Sequence, residues 1–145
     1  MPDLFSPFTL KGVTLRNRIA MSPMTMYGSV DGKMDDYHVM YLGARAAGGF
    51  GLVFPEQIAI TPDGRTTTSC AGIWDDDQIE GHARVTAMIK RFGAVPGIQL
   101  GHTGRNGSEV RTTQGDQRPG PLEGPPAGPP GRLTDRRPLG HPRRR

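Results

Sequence analysis

The chain has 145 residues, 34% of them hydrophobic, and a formal net charge of +4, which suits one ordinary domain with a modest core. Charge is uneven: residues 115–145 hold 8 of the 14 prolines, 6 of the 21 glycines and 7 arginines against 3 acids, so residues 1–114 balance 11 basic against 11 acidic side chains. A nucleic-acid role argued from the pI of about 9.7 would rest on an arginine-rich segment without interleaved aromatics. Cys70 is the single cysteine and permits no internal disulfide, and no stretch has a leader's charged-then-apolar pattern or a membrane-length apolar run. A reducing cytoplasm is the expected compartment.

In chain order, Phe8-Thr9-Leu10, Lys11-Gly12 and Val13-Thr14-Leu15 predict a small hairpin, with Pro7 limiting the first strand to an edge. Leu15 to Tyr27 reads LRNRIAMSPMTMY, in which the apolar run Ile19, Ala20, Met21 predicts a buried parallel strand that delivers a polar corner, Ser22 to Thr25, and then Tyr27. Asp35 or Asp36 caps the next helix, whose apolar face is expected to be Tyr37, Met40, Tyr41 and Ala44, and Gly48-Gly49 ends it. Phe50 to Phe54 predicts a second strand, ending at Pro55-Glu56-Gln57. Pro62-Asp63-Gly64 marks a turn, and Asp77 with Glu80 resembles a capping box for a helix built on Val85, Met88, Ile89 and Phe92 and stopped by Gly93. Gly97 to Leu100 predicts a third strand, followed by Gly101-His102-Thr103-Gly104-Arg105.

The alternation of strand and helix implies an α/β fold with parallel strands and right-handed crossovers. In a βα barrel the site is built at the C-terminal ends of the strands. Ser22 to Tyr27 would then line the mouth, while Arg16, Asn17 and Arg18 anchor the opposite end. Taken one by one, the polar residues have structural readings. Gln99 can bond neighbouring strands, His102 and Arg105 can hold loops, and Glu56 can pair with Arg105 or another arginine. His38 is expected to be structural, since nothing near it in sequence supplies a partner. Cys70, among Thr66 to Ser69 and without His or Cys at ligand spacing, is expected to be a spectator thiol, and no metal site is expected.

The joint pattern is more specific. LFSPFTLKGVTLRNRIAMSPMTMY, DGKMDDYH, RAAGGFGLVFPE, GRTTTSCAGIWDDDQIEG and GIQLGHTGR together resemble the old yellow enzyme family of FMN-dependent NAD(P)H oxidoreductases, more closely its bacterial branch. The resemblance runs from Leu4 to about Arg111. It implies the first three βα units, with an N-terminal hairpin, of a TIM (β/α)8 barrel. It further implies an enzyme of the ene-reductase type that passes hydride from NADH or NADPH through FMN to an electron-poor alkene or carbonyl compound. On that resemblance Ser22, Pro23, Met24 and Thr25 form the corner against the flavin, where the family usually has Cys or Thr at the Thr25 position. Gln99 resembles the glutamine whose amide suits the flavin's pyrimidine edge, and Gln57 stands where the family usually has a small residue beside the flavin, so that a contact there follows only if its backbone alone is used. Tyr27 matches the aromatic residue facing substrate. The proton donor, the phosphate loops and the substrate-anion pair of the family lie beyond the matched region.

An eight-stranded barrel takes about 250 residues. Residues 1–111 are therefore expected to be the N-terminal portion of an FMN-binding barrel. Residues 112–145 are expected to be a disordered Pro/Gly/Arg-rich tail read out of frame, since GC-rich codons favour this mixture, and the chain a truncated, inactive form. Small-molecule substrates are the expected partners, without nucleic acid or membrane, and an intact relative is expected to be a homo-oligomer. The alternative is a non-enzymatic module whose basic tail contacts nucleic acid or acidic partners.

Overall fold

A computed structural model describes Met1 and residues 3–104; the predicted 112–145 tail and Arg105 lie outside the described residues. The hairpin forms as expected, β1 (Phe8–Leu10) antiparallel to β2 (Val13–Leu15) in the register Phe8 with Leu15. Lys11 and Gly12 have φ of 46° and 84°, the left-handed pair that two-residue hairpin turns require. The barrel strands then begin. β3 (Ala20–Met21), β4 (Leu52–Val53) and β6 (Val95–Pro96) make a parallel sheet in that order, with Met21 opposite Val53 and Val53 opposite Pro96. β5 (Gln57–Ala59) pairs in parallel with β7 (Gln99–Gly101).

The second and third strands are thus each broken in two, and the third starts at Val95 rather than Gly97. Pro55 and Pro96 explain the breaks, because proline lacks the N–H that a continuous ladder uses. Gly97 N–H still donates to the Val53 carbonyl at 2.9 Å, so the broken course stays in the sheet.

Two helices cover one side of these strands, α1 (Asp36–Ala47) and α2 (Ile79–Arg91). Asp35 caps α1, accepting from the Tyr37 and His38 N–H groups at 3.0 and 3.4 Å. The buried face of α1 is His38, Leu42, Gly43 and Ala46, not the expected Tyr37, Met40, Tyr41 and Ala44; Met40 is 63% exposed. The tyrosines are half-buried, Tyr41 against the edge of the core, with their rings stacked at 5.7 Å and the Arg45 guanidinium over the Tyr41 ring. Two causes override the pattern: Met88 of α2 fills the space over Gly43, and a polar side chain at His38 finds buried partners.

The start of α2 also differs from expectation. Asp75, not Asp77, forms the capping box, with Gln78, on a 3-10 turn (Asp76–Gln78) that precedes the helix. Asp77 pairs with Lys33 instead, and Arg84 of α2 pairs with Asp36 of α1. The core between strands and helices comprises Met21, Met34, Leu42, Ala46, Val53, Ile58, Ala71, Val85, Ile89 and Ala94.

At the N-terminal ends of the strands the predicted anchor is present. Arg16 donates to the carbonyls of Ala46 at 2.5 Å, Phe50 at 2.8 Å and Phe92 at 2.8 Å, so one guanidinium serves the C-terminal ends of both helices and the entry to β4. Asn17 donates to Gly49 O at 2.7 Å and accepts from Ile19 N–H at 3.1 Å. A Cβ on Gly51 would lie 2.6 Å from Asn17 Oδ1 and 2.7 Å from its carbonyl oxygen, so only glycine allows this approach. Arg18 sits over the Phe8 ring, 5.0 Å from its centroid, tying the hairpin to β3.

Arg16→Leu should lower the unfolding free energy by about 2 kcal/mol, because three carbonyls lose a charged donor and regain water only in part. Arg16→Lys should recover less than half of that, since an ammonium cannot reproduce the planar fork. Urea denaturation followed by circular dichroism measures both, and a lysine variant as stable as the parent would refute the fork.

Candidate active site

Parallel pairing brings the C-terminal ends of all three strand courses to one end of the sheet, and the candidate residues follow those ends. Ser22, Met24 and Thr25 are exposed in an irregular loop directly after β3, with Pro23 half-buried. Tyr27 is 36% exposed and has φ of 54°. The other two non-glycine residues with positive φ among the described residues, Lys11 and Asp31, each precede a glycine with positive φ in a turn. Tyr27 stands alone, and such a backbone typically costs about 1–3 kcal/mol unless its surroundings impose it.

Gln57 and Gln99 are register partners at the start of β5 and β7, so their side chains leave the same face of the sheet. Gln57 lies across Gly101, where a Cβ would come within 2.5 Å of its Cδ; the glycine at the end of β7 is what lets the Gln57 side chain lie flat. The Gln57 amide occupies the same face of the sheet as Gln99. On the opposite face Ile58 is fully buried, whereas Leu100 is 57% exposed.

The loop after β7 is fastened rather than free. Thr103 Oγ1 donates to the carbonyls of Gly64 and Arg65 at 3.1 and 2.9 Å, and His102 Nδ1 accepts from Gly104 N–H at 3.0 Å. His102 Nε2 lies 3.8 Å from Asp63 Oδ2. His102 thus holds a loop, as its sequence position suggested.

Glu56 and His38 meet partners that the sequence did not announce, while the expected Arg105 partner lies outside the described residues. Glu56 has no arginine partner among the described residues. It is 1% exposed, accepts from Met26 N–H at 3.5 Å and faces His38 Nε2 at 3.8 Å. His38, for which no partner was expected, is fully buried against Asp35, Ser29 and Glu56. These partners are 3, 9 and 18 positions away in sequence; the capping position of Asp35 was the only local signal. Burial raises the Asp35 carboxyl, but the bond from His38 and its charge, with two backbone N–H groups, outweigh that and leave it below its ordinary value.

Cys70 is 2% exposed, its Sγ 3.3 Å from Thr67 Oγ1. Burial, with the Glu56 charge second, pushes the thiol up to about 11, which agrees with a spectator. No cluster of three or more His, Cys, Asp or Glu side chains among the described residues could hold a metal, and no described helix is long and apolar enough to cross a membrane.

Three parallel strand courses under two helices, with polar residues gathered toward one end and a hairpin and arginine anchor at the other, define part of a βα barrel. A sequence profile of the NADH:flavin oxidoreductase / NADH oxidase family matches residues 3–128, and the chain belongs to that family. It is 49% identical over 112 residues to the NADPH dehydrogenase of Bacillus licheniformis, an alignment covering 76% of this chain and 33% of that protein. In structure it resembles morphinone reductase in complex with tetrahydroNAD, with a TM-score of 0.69 and 33% identity over 74% of this chain and 29% of that one. It likewise resembles the old yellow enzyme homologue from Zymomonas mobilis, with a TM-score of 0.67 and 30% identity over 72% of this chain and 29% of the other. The chain spans about a third of the length of the curated relative. Its described part is the first portion of an old yellow enzyme TIM barrel.

Because the thiolate is the nucleophile, the native chain at pH 8 should leave Cys70 unmodified by iodoacetamide over minutes and react fully once unfolded in urea. Mass spectrometry reads both states; rapid labelling of the native chain would show that the 67–70 loop opens.

Proposed function

We propose that the chain supplies the flavin-facing third of an FMN-dependent NAD(P)H oxidoreductase of the old yellow enzyme type. The observation that carries this reading is the register of Gln57 with Gln99 beside the exposed Ser22 to Thr25 corner at the same end of the strands. The residues present fit a flat, polar-edged ring: two amides on one face, a glycine that a Cβ would fill, and a hydroxyl donor at Thr25. Bound FMN supplies hydride transfer between NADH or NADPH and an electron-poor alkene or carbonyl compound. Gln99, and Gln57 beside it, would pair with donors and acceptors along the ring's pyrimidine edge, an amide being able to do both. Ser22 to Met24 would pack against the ring and Thr25 would donate from its hydroxyl. Tyr27 would face substrate, with proton delivery left to a residue outside the described ones. The neutral composition of residues 1–114 and the buried single thiol suit a cytoplasmic enzyme of small molecules rather than a nucleic-acid module.

Exchanging residues 3–104 into the NADPH dehydrogenase of Bacillus licheniformis tests the assignment. The chimera should purify with FMN and oxidise NADPH. Within it, Thr25→Ala should keep FMN but slow reduction by NADPH in stopped flow. Gln99→Leu should weaken FMN retention by about 1–3 kcal/mol through unpaired polar ring atoms. FMN held through dialysis as tightly as in the parent chimera would return Gln99 to a structural role.

The 145-residue chain alone should bind no stoichiometric FMN. βα barrels commonly hold phosphate with loops after the seventh and eighth strands, and the described residues supply the first three strand courses. Charge-assisted bonds are roughly twice as strong as neutral ones, so the amides and Thr25 would not compensate. Flavin fluorescence during titration is the readout, and a yellow purified chain would overturn the expectation.

A further inference from the structure

Four side chains that the proposed chemistry does not use meet beneath the loop after β3. Ser29, His38, Glu56 and Cys70 are 1%, 0%, 1% and 2% exposed. They come from that loop, from α1, from the break between β4 and β5, and from the loop before α2. Glu56 Oε2 accepts the Met26 N–H, while Glu56 Oε1 has no hydrogen-bond partner among the described residues and lies 3.8 Å from His38 Nε2. The same His38 nitrogen is 3.3 Å from Ser29 Oγ.

The other ring nitrogen decides the tautomer. His38 Nδ1 lies 2.7 Å from Asp35 Oδ1, where a lone pair would be repelled by the carboxylate and an N–H attracted, so Nδ1 carries hydrogen. The Asp35 N–H, 3.1 Å from Nδ1, is the weaker competitor for that position. His38 Nε2 is then left facing Ser29 and Glu56. The Glu56 carboxyl and the His38 ring are thus buried polar neighbours across a 3.8 Å gap, longer than a direct hydrogen bond. Cys70, the remaining titratable neighbour of Glu56, stays a neutral thiol.

The loop above shows what this pair does. Met26 precedes Tyr27, the isolated left-handed residue, and Ser29 follows it by two; Ser29 N–H donates to Ser69 O at 2.9 Å. Tyr27 is therefore clamped on both sides, by Glu56 through Met26 and by the Ser69 carbonyl through Ser29. We propose that His38 and Glu56 are positioning residues: a buried pair in which His38 backs the Glu56 carboxyl, Glu56 accepts the Met26 N–H, and the two so hold Tyr27 in its strained backbone and present Thr25 and Tyr27 at the strand ends. The consequence for catalysis rests on the flavin and substrate roles proposed for Thr25 and Tyr27. The structural claim does not depend on them.

Residue-resolved amide exchange and histidine ring 15N spectra of the 145-residue chain test it without flavin. Glu56→Ala should speed exchange at Met26 about tenfold or more while leaving Leu42 and Ala46 of α1 unchanged, the signature of local opening. Glu56→Gln keeps a carbonyl oxygen for Met26 and should restore slow exchange there. It replaces a carboxyl group beside His38 Nε2 with an amide, so it should shift the His38 ring signals while those of His82 stay in place. Equal Met26 exchange in the parent and Glu56→Ala, or His38 signals indifferent to Glu56→Gln, would overturn the proposal. If Glu56→Ala loses protection throughout both helices, the Glu56→Gln ring shift alone decides. A chimera that fails to hold FMN would sink the flavin reading and leave these outcomes untouched.

Discussion

The Arg16 guanidinium is the contact on which the arrangement depends. It bonds the Ala46 carbonyl at the end of α1, the Phe92 carbonyl at the end of α2 and the Phe50 carbonyl before β4. Two of these carbonyls lie at helix C-terminal ends, where few intrahelical donors remain, and the positive charge suits the negative ends of two helix dipoles at once. A residue in the link between hairpin and first barrel strand thereby sets how both helices end relative to the sheet. Gly51 and Asn17 complete the joint by bringing backbone to backbone. With the N-terminal ends of the strands fixed, register carries the constraint along the sheet, and Met21, Val53 and Pro96 come level.

The opposite end is built differently, and the difference is what makes it fit for a site. There the strands break at prolines, side chains lie across glycine, and loops are tied to one another by Thr103, His102 and Ser69. These ties do not bury much apolar surface. They satisfy backbone groups that the broken strands leave over, and they leave Ser22, Thr25 and Gln99 exposed. A rigid, apolar base with a polar, irregular rim places chemical groups without spending them on the core.

Between the two ends lies the His38–Glu56 pair, a polar group buried beside the aliphatic core. A hydrophobic pair of similar volume would be easier to bury. What such residues could not do is hold a backbone N–H from the loop above, and the strained Tyr27 requires that hold. The same cluster keeps Cys70 protonated, so a buried thiol close to a candidate active site stays chemically quiet.

By itself the sequence determined the order of elements, the hairpin at Lys11-Gly12, the anchor at Arg16 to Arg18, the polar residues that follow each strand and the family. All of these are written in local chemistry: a two-residue turn, an alternation of short apolar runs with helical periods, and motifs recurring together. Only the tertiary structure decided which side of α1 is buried, that Asp75 rather than Asp77 caps α2, that the second and third strands are each split, and that Glu56 meets His38. The periodic pattern of α1 ranks residues by apolarity, but burial is settled by the surface across from them. Gly43 leaves room for Met88, and His38 is admitted because Ser29 and Glu56 arrive from elsewhere in the chain. The pairing of Gln57 with Gln99 was undecidable locally for the same reason: register between parallel strands separated by a helix is set by the packing of that helix on the sheet, which no short stretch of sequence contains.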